Sequence, residues 1–374
     1  MTHRERLLAT LRYESVDRVP DFEFSAWEQT IARWHNEGLP PEFNDITLGI
    51  NDYFHTDLEG FDLNIGNGLF PGFLDPGLEY RVLEEKGDHL IVQDADGAIA
   101  EMMRPELGSS IPHYLRHAIA TRADWEKLRD EKLNPDTPGR VPGDLEARCR
   151  ESLEADQPVR VWAGSMYGQL RNWMGLEGIS VAIMDDPEWV IEMMAHCTDL
   201  TLELLEKVAG KCRIDVADWW EDMCFNKGSL VSPRWFAEHM VPQYRRVTEL
   251  LRSECGCEFN RVDCDGNIHQ LIPLWLEAGV NLMFPLEAAH TDAYRIREQF
   301  GKQAPLQGYF DKRALIAGKD AIDREFERLR PLLDGGGFIP HTDHLVPPDV
   351  SWENYLYYRE RKCAFIGKTQ ETTR

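Results

Sequence analysis

The chain is poor in positive charge. Across 374 residues, 41 Lys and Arg stand against 65 Asp and Glu, giving a net charge of −24 and a pI of about 4.9. Nucleic acid or an anionic lipid surface would be repelled, so neither is expected as a partner. Long apolar runs are also missing: none approaches the ~20 residues that span a bilayer. The opening Met1-Thr2-His3-Arg4-Glu5-Arg6 lacks the apolar core of a signal peptide. The expectation is a cytoplasmic protein. No G-x-G-x-x-G follows an early strand-like segment, which argues against a dinucleotide-binding sheet. The eight cysteines are scattered through a long chain without the density of a disulfide scaffold, so reduced thiols are expected. Cys255-Gly256-Cys257, followed by Cys264, has no second pair to complete a thiolate metal site and reads as buried or turn thiols.

What is present is a regular alternation. Thr2 and Glu5 have capping-box spacing ahead of Leu7, Leu8 and Leu11, so a short helix opens the chain. Strand-like segments at 18–24 and 61–65 flank a helical pattern at 27–36, and a Gly- and Pro-rich loop follows from Gly66 to Gly77. Residues 79–103 read as an antiparallel meander with glycine turns, an insertion in the N-terminal third. Helical patterns at 125–133 and 144–153 follow. Strands are then predicted at 159–163, 213–219, 258–263, 281–285, 305–309 and 337–341. They alternate with helices at 187–208, 233–253, 268–278, 292–300 and 321–333. Such alternation implies parallel pairing. With 18–24 and 61–65 the strands number eight, which predicts one α/β domain over 1–374, a (β/α)8 TIM barrel. An open doubly wound sheet is the alternative.

In a barrel the active site lies at the C-terminal strand ends, and there the sequence is rich in titratable groups. Asn260-Arg261-Val262-Asp263-Cys264-Asp265-Gly266-Asn267 ends a buried strand, placing Asp263 and Asp265 on one face and Cys264 on the other. Two carboxylates so held ligate a hard cation, exchange a proton, or are satisfied by backbone donors. Glu221, Asp222, Asp265 and Glu287 are the catalytic candidates, although Glu221 and Asp222 could equally cap a helix or pair with arginine, and Glu287 could bind its own loop. His341 and His344 bracket Asp343, and one of the three is expected to point into the mouth. Trp220, Tyr167 and Tyr309 are the candidate substrate contacts; for Trp162, Trp173 and Trp219, also near strand ends, core packing is the default. Gly335-Gly336-Gly337 precedes the last strand and reads as a turn on the opposite face, and His290 as a loop residue.

The segments Trp220-Glu221-Asp222-Met223, Asp263-Cys264-Asp265-Gly266, Leu276 to Asn281, Phe284-Pro285-Leu286-Glu287 and Asp343 to Tyr355 resemble the uroporphyrinogen decarboxylase superfamily, and within it the branch of cobamide-dependent methyltransferases. The resemblance implies a (β/α)8 barrel, in agreement with the strand count. Two departures narrow it. True uroporphyrinogen decarboxylases carry an arginine-rich segment soon after the first strand, whereas Phe24-Ser25-Ala26-Trp27-Glu28-Gln29 has none before Arg33. Thiol-methylating relatives hold zinc through His-x-Cys and a later Cys. The matching positions here read Asp263-Cys264-Asp265 and His341-Thr342-Asp343-His344. Any metal, zinc first among the possibilities, would then have O and N ligands chosen from Asp263, Asp265, His341 and His344.

The resemblance implies a methyltransferase that moves a methyl group between a small O- or N-methyl substrate and a cobalt corrinoid. No histidine has Asp two residues before it and Gly three after, the D-x-H-x-x-G of cobalamin-ligating modules, so cobalamin is expected in trans, on a separate corrinoid protein or free. The alternatives are a decarboxylase-like lyase for a small carboxylated substrate and a non-catalytic binding barrel.

Overall fold

The computed structural model describes residues 1–44, 48–66, 73–104 and 112–369. Thr2 caps α1 (His3–Leu11) through the reciprocal Thr2–Glu5 box. After α2 (Glu28–Glu37), α3 (Leu48–Phe54) and the two-residue β1 (Phe61–Asp62) come β2 (Arg81–Lys86), β3 (His89–Gln93), β4 (Ile99–Met103) and β5 (His113–Arg116). These last four form a separate antiparallel sheet in that order, one strand beyond the meander expected at 79–103. α4 (Arg122–Lys132) and α5 (Leu145–Glu154) lead to β6 (Val159–Gly164), α6 (Gly168–Asp185), α7 (Pro187–Glu206) and β7 (Val216–Trp220). A small hairpin, β8 (Cys224–Phe225) and β9 (Gly228–Ser229), precedes α8 (Pro233–Trp235), a π-helical turn at Phe236–Met240 and α9 (Val241–Cys255). The rest is β10 (Phe259–Asp263), α10 (Ile272–Glu277), β11 (Leu282–Leu286), α11 (Ala293–Phe300), β12 (Leu306–Phe310), α12 (Lys312–Ala317), α13 (Lys319–Asp334), β13 (Phe338–Thr342) and α14 (Trp352–Ile366).

The main sheet is parallel, seven strands in the order β1-β6-β7-β10-β11-β12-β13. Strand alternation splits its side chains between two environments. Val161, Ala217, Trp219, Val262, Cys264 and Met283 join the main core with the helices, while Val216, Phe259, Leu282 and Ile339 pack on the other face with Phe22 and with Leu7, Leu8 and Leu11 of α1. Because residues from four strands share this second cluster, the sheet curls around it, and α1 covers its N-terminal end.

The eighth strand expected at 18–24 does not form. Pro20 has no N–H to give a ladder, and the segment's groups find side chains instead. Asp57 Oδ2 accepts from Asp21 N at 2.9 Å, and Lys362 Nζ donates to Phe22 O. Asp21 and Glu23, both buried, face α14, where Arg359 Nη2 lies 2.8 Å from Asp21 Oδ2 and Lys362 Nζ 2.6 Å from Glu23 Oε1. An ionic seam thus stands where the ladder was expected. The segment at 61–65 contributes only β1, and the Gly- and Pro-rich stretch after it falls partly outside the described residues. α6 carries no sequence signal because Gly168, Gly175 and Gly178 dilute it. Gly175, at φ 74, is a kink where a Cβ would lie 2.4 Å from the His117 ring.

All eight cysteines are buried and unbridged, and Gly256 of the Cys-Gly-Cys run is the left-handed C-cap of α9. Among the described residues no helix is long and apolar enough to cross a membrane.

Candidate functional site

The C-terminal edge of the sheet gathers carboxylates. Asp263 ends β10, in register with Trp220 of β7 and Phe284 of β11. Its carbonyl accepts from Glu221 N at 2.9 Å, which carries the chain into Asp222 at φ 42, a left-handed conformation costly for a residue with a Cβ. Arg171 of α6 holds Asp222 there, donating through Nη1 to its carbonyl at 2.6 Å while its guanidinium lies over the Trp220 ring at 5.2 Å. Asp222 Oδ1 in turn accepts from Asp265 N at 3.3 Å. Asp265 Oδ2 lies 3.3 Å from His344 Nε2, and its Oδ1 is buried with no hydrogen-bond partner. The His344 ring stacks on Trp27 at 6.3 Å and meets Phe24 at 5.4 Å.

Burial pushes the Asp263 carboxyl well above the usual carboxylate range, and the charges of Asp222 and Asp265 add to the shift. Asp222 is raised by burial first and by Asp265 second, against the opposing pull of Arg171. Arg261 opposes the shift at Asp263 and Arg171 that at Asp222, and both carboxyls remain easier to protonate than an ordinary carboxylate.

Other predicted residues serve the frame. Glu221 is fully buried and accepts from Met166 N and Tyr167 N, both at 2.8 Å, from Gly168 N and from the Tyr244 hydroxyl. It anchors the turn into α6 from beneath the site, which corrects the catalytic expectation: no oxygen is left over for a substrate. Glu287 accepts from Gly266 N at 2.8 Å and lies 3.6 Å from Lys312 Nζ, bracing the loop after Asp265. Asp343 accepts from Ala288 N and Lys312 N, each at 3.0 Å, and burial lifts its carboxyl to about 6. Tyr167 lies in the main core. Tyr309, at φ 67, turns its ring under the Arg328 guanidinium, 4.3 Å away, and packs in the main core. Both tyrosines are buried, whereas Trp220 is partly exposed at the end of β7.

Beneath the edge lies a polar layer that the sequence reading missed. Arg160 and Arg261 both bind Asp218, at 2.6 and 2.7 Å, and Glu59, at 3.0 and 3.3 Å. Arg261 also donates to Gln307 Oε1 at 3.2 Å and lies 4.5 Å over the Phe284 ring. Alternation alone could have found this layer: 160, 218, 261 and 307 share the inward parity of Val216, Phe259 and Ile339. His341 belongs to it too. Its ring lies 6.1 Å from Phe24 and 5.6 Å from Phe284, and burial drops its pKa to about 4.

Residues 97–360 match the family model for uroporphyrinogen decarboxylase. The chain belongs to the uroporphyrinogen decarboxylase family. It is 25% identical over 258 residues to the uroporphyrinogen decarboxylase of Geotalea daltonii, covering 65% of this chain and 70% of that one. Against the enzyme of Geobacter sulfurreducens it is 23% identical over 256 residues, with the same coverage. Its fold is similar to that of a methyltransferase from Methanosarcina mazei, with a TM-score of 0.58 at 16% identity over 97% of this chain and 99% of that one.

The segment after residue 23 lays Phe24 and Trp27 against His344 and carries no Lys or Arg before Arg33. The four residues considered as metal ligands do not form one set. His344 and Asp265 meet, whereas His341 sits in the layer below, turned between two phenylalanines. Among the described residues no three His, Cys, Asp or Glu side chains make a metal-holding group, so the donor set does not fit a four-coordinate zinc. A cleft of about 720 Å³ lies away from this edge, beside Arg18, Asp57, Arg359 and Lys368. Arg18 there is paired with Asp57, and Arg359 and Lys368 with Asp21, so these charges are already engaged.

Proposed function

We propose that the protein is a methyltransferase that moves a methyl group between a small O- or N-methyl substrate and a cobalt corrinoid presented by a separate corrinoid protein, on a barrel-like fold whose eighth place is taken by the unladdered segment at 18–24. The observation that carries this reading is the Asp265–His344 pair set against Phe24 and Trp27 at the strand ends, a proton donor beside an aromatic wall. Methyl transfer breaks the bond from carbon to the heteroatom, and the leaving oxygen or nitrogen must gain a proton as that bond breaks. In the demethylating direction the corrinoid supplies the cobalt nucleophile that accepts the methyl group. His344, oriented by Asp265, gives the proton to the leaving heteroatom, and the partly exposed pair regains it from solvent. In the reverse direction the same groups receive it. The whole-length likeness in fold to a methyltransferase supports this reading. The carboxy-lyase alternative needs free positive charge for a carboxylate, and Arg160 and Arg261 are already balanced by Asp218 and Glu59.

The test is incubation with reduced cobalamin and a panel of methoxylated and N-methylated compounds, following methylcobalamin by its visible spectrum. Methylation with at least one compound supports the proposal. No methylation with any of them, together with CO₂ release from a small carboxylated compound, overturns it.

A further inference from the structure

In the polar layer under the carboxylates, two side chains are left with an unused hydrogen-bonding atom. Gln307 and His341 are each only 1% exposed, yet Gln307 Nε2 and His341 Nε2 have no partner. Leaving a buried polar atom unbonded is costly, so such atoms call for an explanation. They lie on adjacent strands: Gln307 pairs in register with Ile339, two residues before His341.

The chemistry of each atom is fixed by what its other end does. Arg261 Nη1 can only donate, so the Gln307 atom 3.2 Å from it is the carbonyl oxygen and the free atom is the amide NH₂, a donor. Thr342 O can only accept, so His341 Nδ1, 2.7 Å from it, carries the hydrogen and the free Nε2 presents a lone pair. A single group that meets both atoms would have to accept from Gln307 and donate to His341. A carboxylate cannot donate, and no positive charge is spare for it beside Asp218 and Glu59. An ammonium ion cannot accept. A neutral hydroxyl does both.

We infer that Gln307 and His341 form a subsite for a hydroxyl group carried on a ring-bearing substrate, with the touching rings of Phe24 and Phe284 as one apolar side of it. The two phenylalanine rings lie 5.1 Å apart and both border His341. Phe24, Glu59 and Arg160 are partly exposed, which marks the side from which a ligand enters. The hydroxyl is a handle and not the reacting group. Asp263 is paired in register with Phe284, so a ring held by its hydroxyl at the lower layer directs its far side at the strand-end carboxylates. The inference rests on the proposed reading only in placing the reacting end there.

The test is binding without cobalamin, which separates it from the test of methyl transfer. Phenol, cyclohexanol and toluene are titrated by calorimetry into the full chain, wild type and with Gln307→Leu or His341→Phe. The wild type should bind at least one alcohol about tenfold more tightly than toluene, the worth of one well-made buried hydrogen bond. Preference for phenol alone assigns an aromatic hydroxyl; preference for both assigns any ring alcohol. In either variant the advantage should fall to within about twofold, with toluene binding retained. Equal binding of toluene and both alcohols by the wild type overturns the inference and leaves the two atoms to an internal water. An advantage that survives in both variants overturns it as well. Should a variant fail to fold, the wild-type comparison and Gln307→Met, which keeps the side chain's length, decide the matter.

Discussion

His344 Nε2 lies 3.3 Å from Asp265 Oδ2, and the other oxygen of Asp265 is buried without a partner. An imidazole so oriented can pass a proton outward while the carboxylate fixes its tautomer. Replacing His344 with Gln, or Asp265 with Asn, should lower methyl transfer by roughly 10²- to 10⁴-fold. Both residues are partly exposed at a loop, so stability should change by less than about 1 kcal/mol. Rates of methylcobalamin formation and thermal midpoints of the same samples check this. Activity within threefold of wild type in both variants removes the pair from the reaction.

Glu221 is expected to behave in the opposite way. Its carboxylate takes backbone N–H groups from the turn into α6 together with the Tyr244 hydroxyl. Glu221→Gln replaces one acceptor oxygen by an NH₂ facing donors, so a loss of about 2–3 kcal/mol of stability is expected. The activity of the molecules that remain folded should stay within a few-fold of wild type. Denaturant titration beside a rate per folded molecule separates the two effects.

What the sequence disclosed follows from how local each signal is. The parallel strands after residue 158, the capping box at Thr2 and the carboxylates at 263 and 265 are visible because periodicity and spacing carry them. The segment at 18–24 reads as a buried strand, and most of it is buried, but the partners that replace its ladder, at 359 and 362, lie more than 330 residues away. The roles of Glu221 and Tyr309 turn on the direction of one side chain at an irregular strand end, and the positive φ of Asp222 and Tyr309 is not written in either residue type. Arg171 escaped notice because the helix that carries it is broken by glycine.

The seam that replaces the eighth ladder predicts a large stability effect far from any chemistry. Lys362 is fully buried against Glu23 and the Phe22 carbonyl. Lys362→Met leaves that carbonyl without its donor and Glu23 with less compensation, and breaking a buried pair in this way costs about 3–5 kcal/mol. For a chain of this length that is a fall of roughly 4–6 °C in midpoint. Adding Glu23→Gln should recover part of it by removing the stranded charge. A fall of less than about 1 °C in the single variant would mean that Arg359 and Lys368 hold the segment without Lys362.

Stability should also fall as pH rises through about 6, most locally where the antiparallel sheet meets α6. Asp96, in the turn between β3 and β4, lies against the Gln169 and Trp173 side chains of α6. Burial, reinforced by Asp94, lifts its carboxyl to about 6, against the opposing pull of Gln169 and Trp173. An unfolded aspartate titrates near ~3.9, so between about pH 4 and 6 the folded chain holds a proton that the unfolded chain has lost. The contribution is therefore whole at low pH and lost as pH rises through 6. Asp343, lifted to the same value, acts in the same direction. Asp17 and Asp57 act oppositely, since arginines hold their carboxyls below the usual range, and their contribution is lost only in acid. His341, dropped to about 4 by burial, also acts oppositely and offsets one raised carboxyl as pH rises from about 4 to 6.5. Between pH 5 and 7.5 the raised groups should dominate, and Asp96, being partly open to solvent, should account for on the order of 1–2 kcal/mol. Hydrogen exchange of β2 to β5 should then be faster at pH 7.5 than at pH 5 beyond the intrinsic chemical trend, and Asp96→Asn should remove that excess. If the variant keeps the full pH dependence, Asp96 is not what holds the sheet to α6.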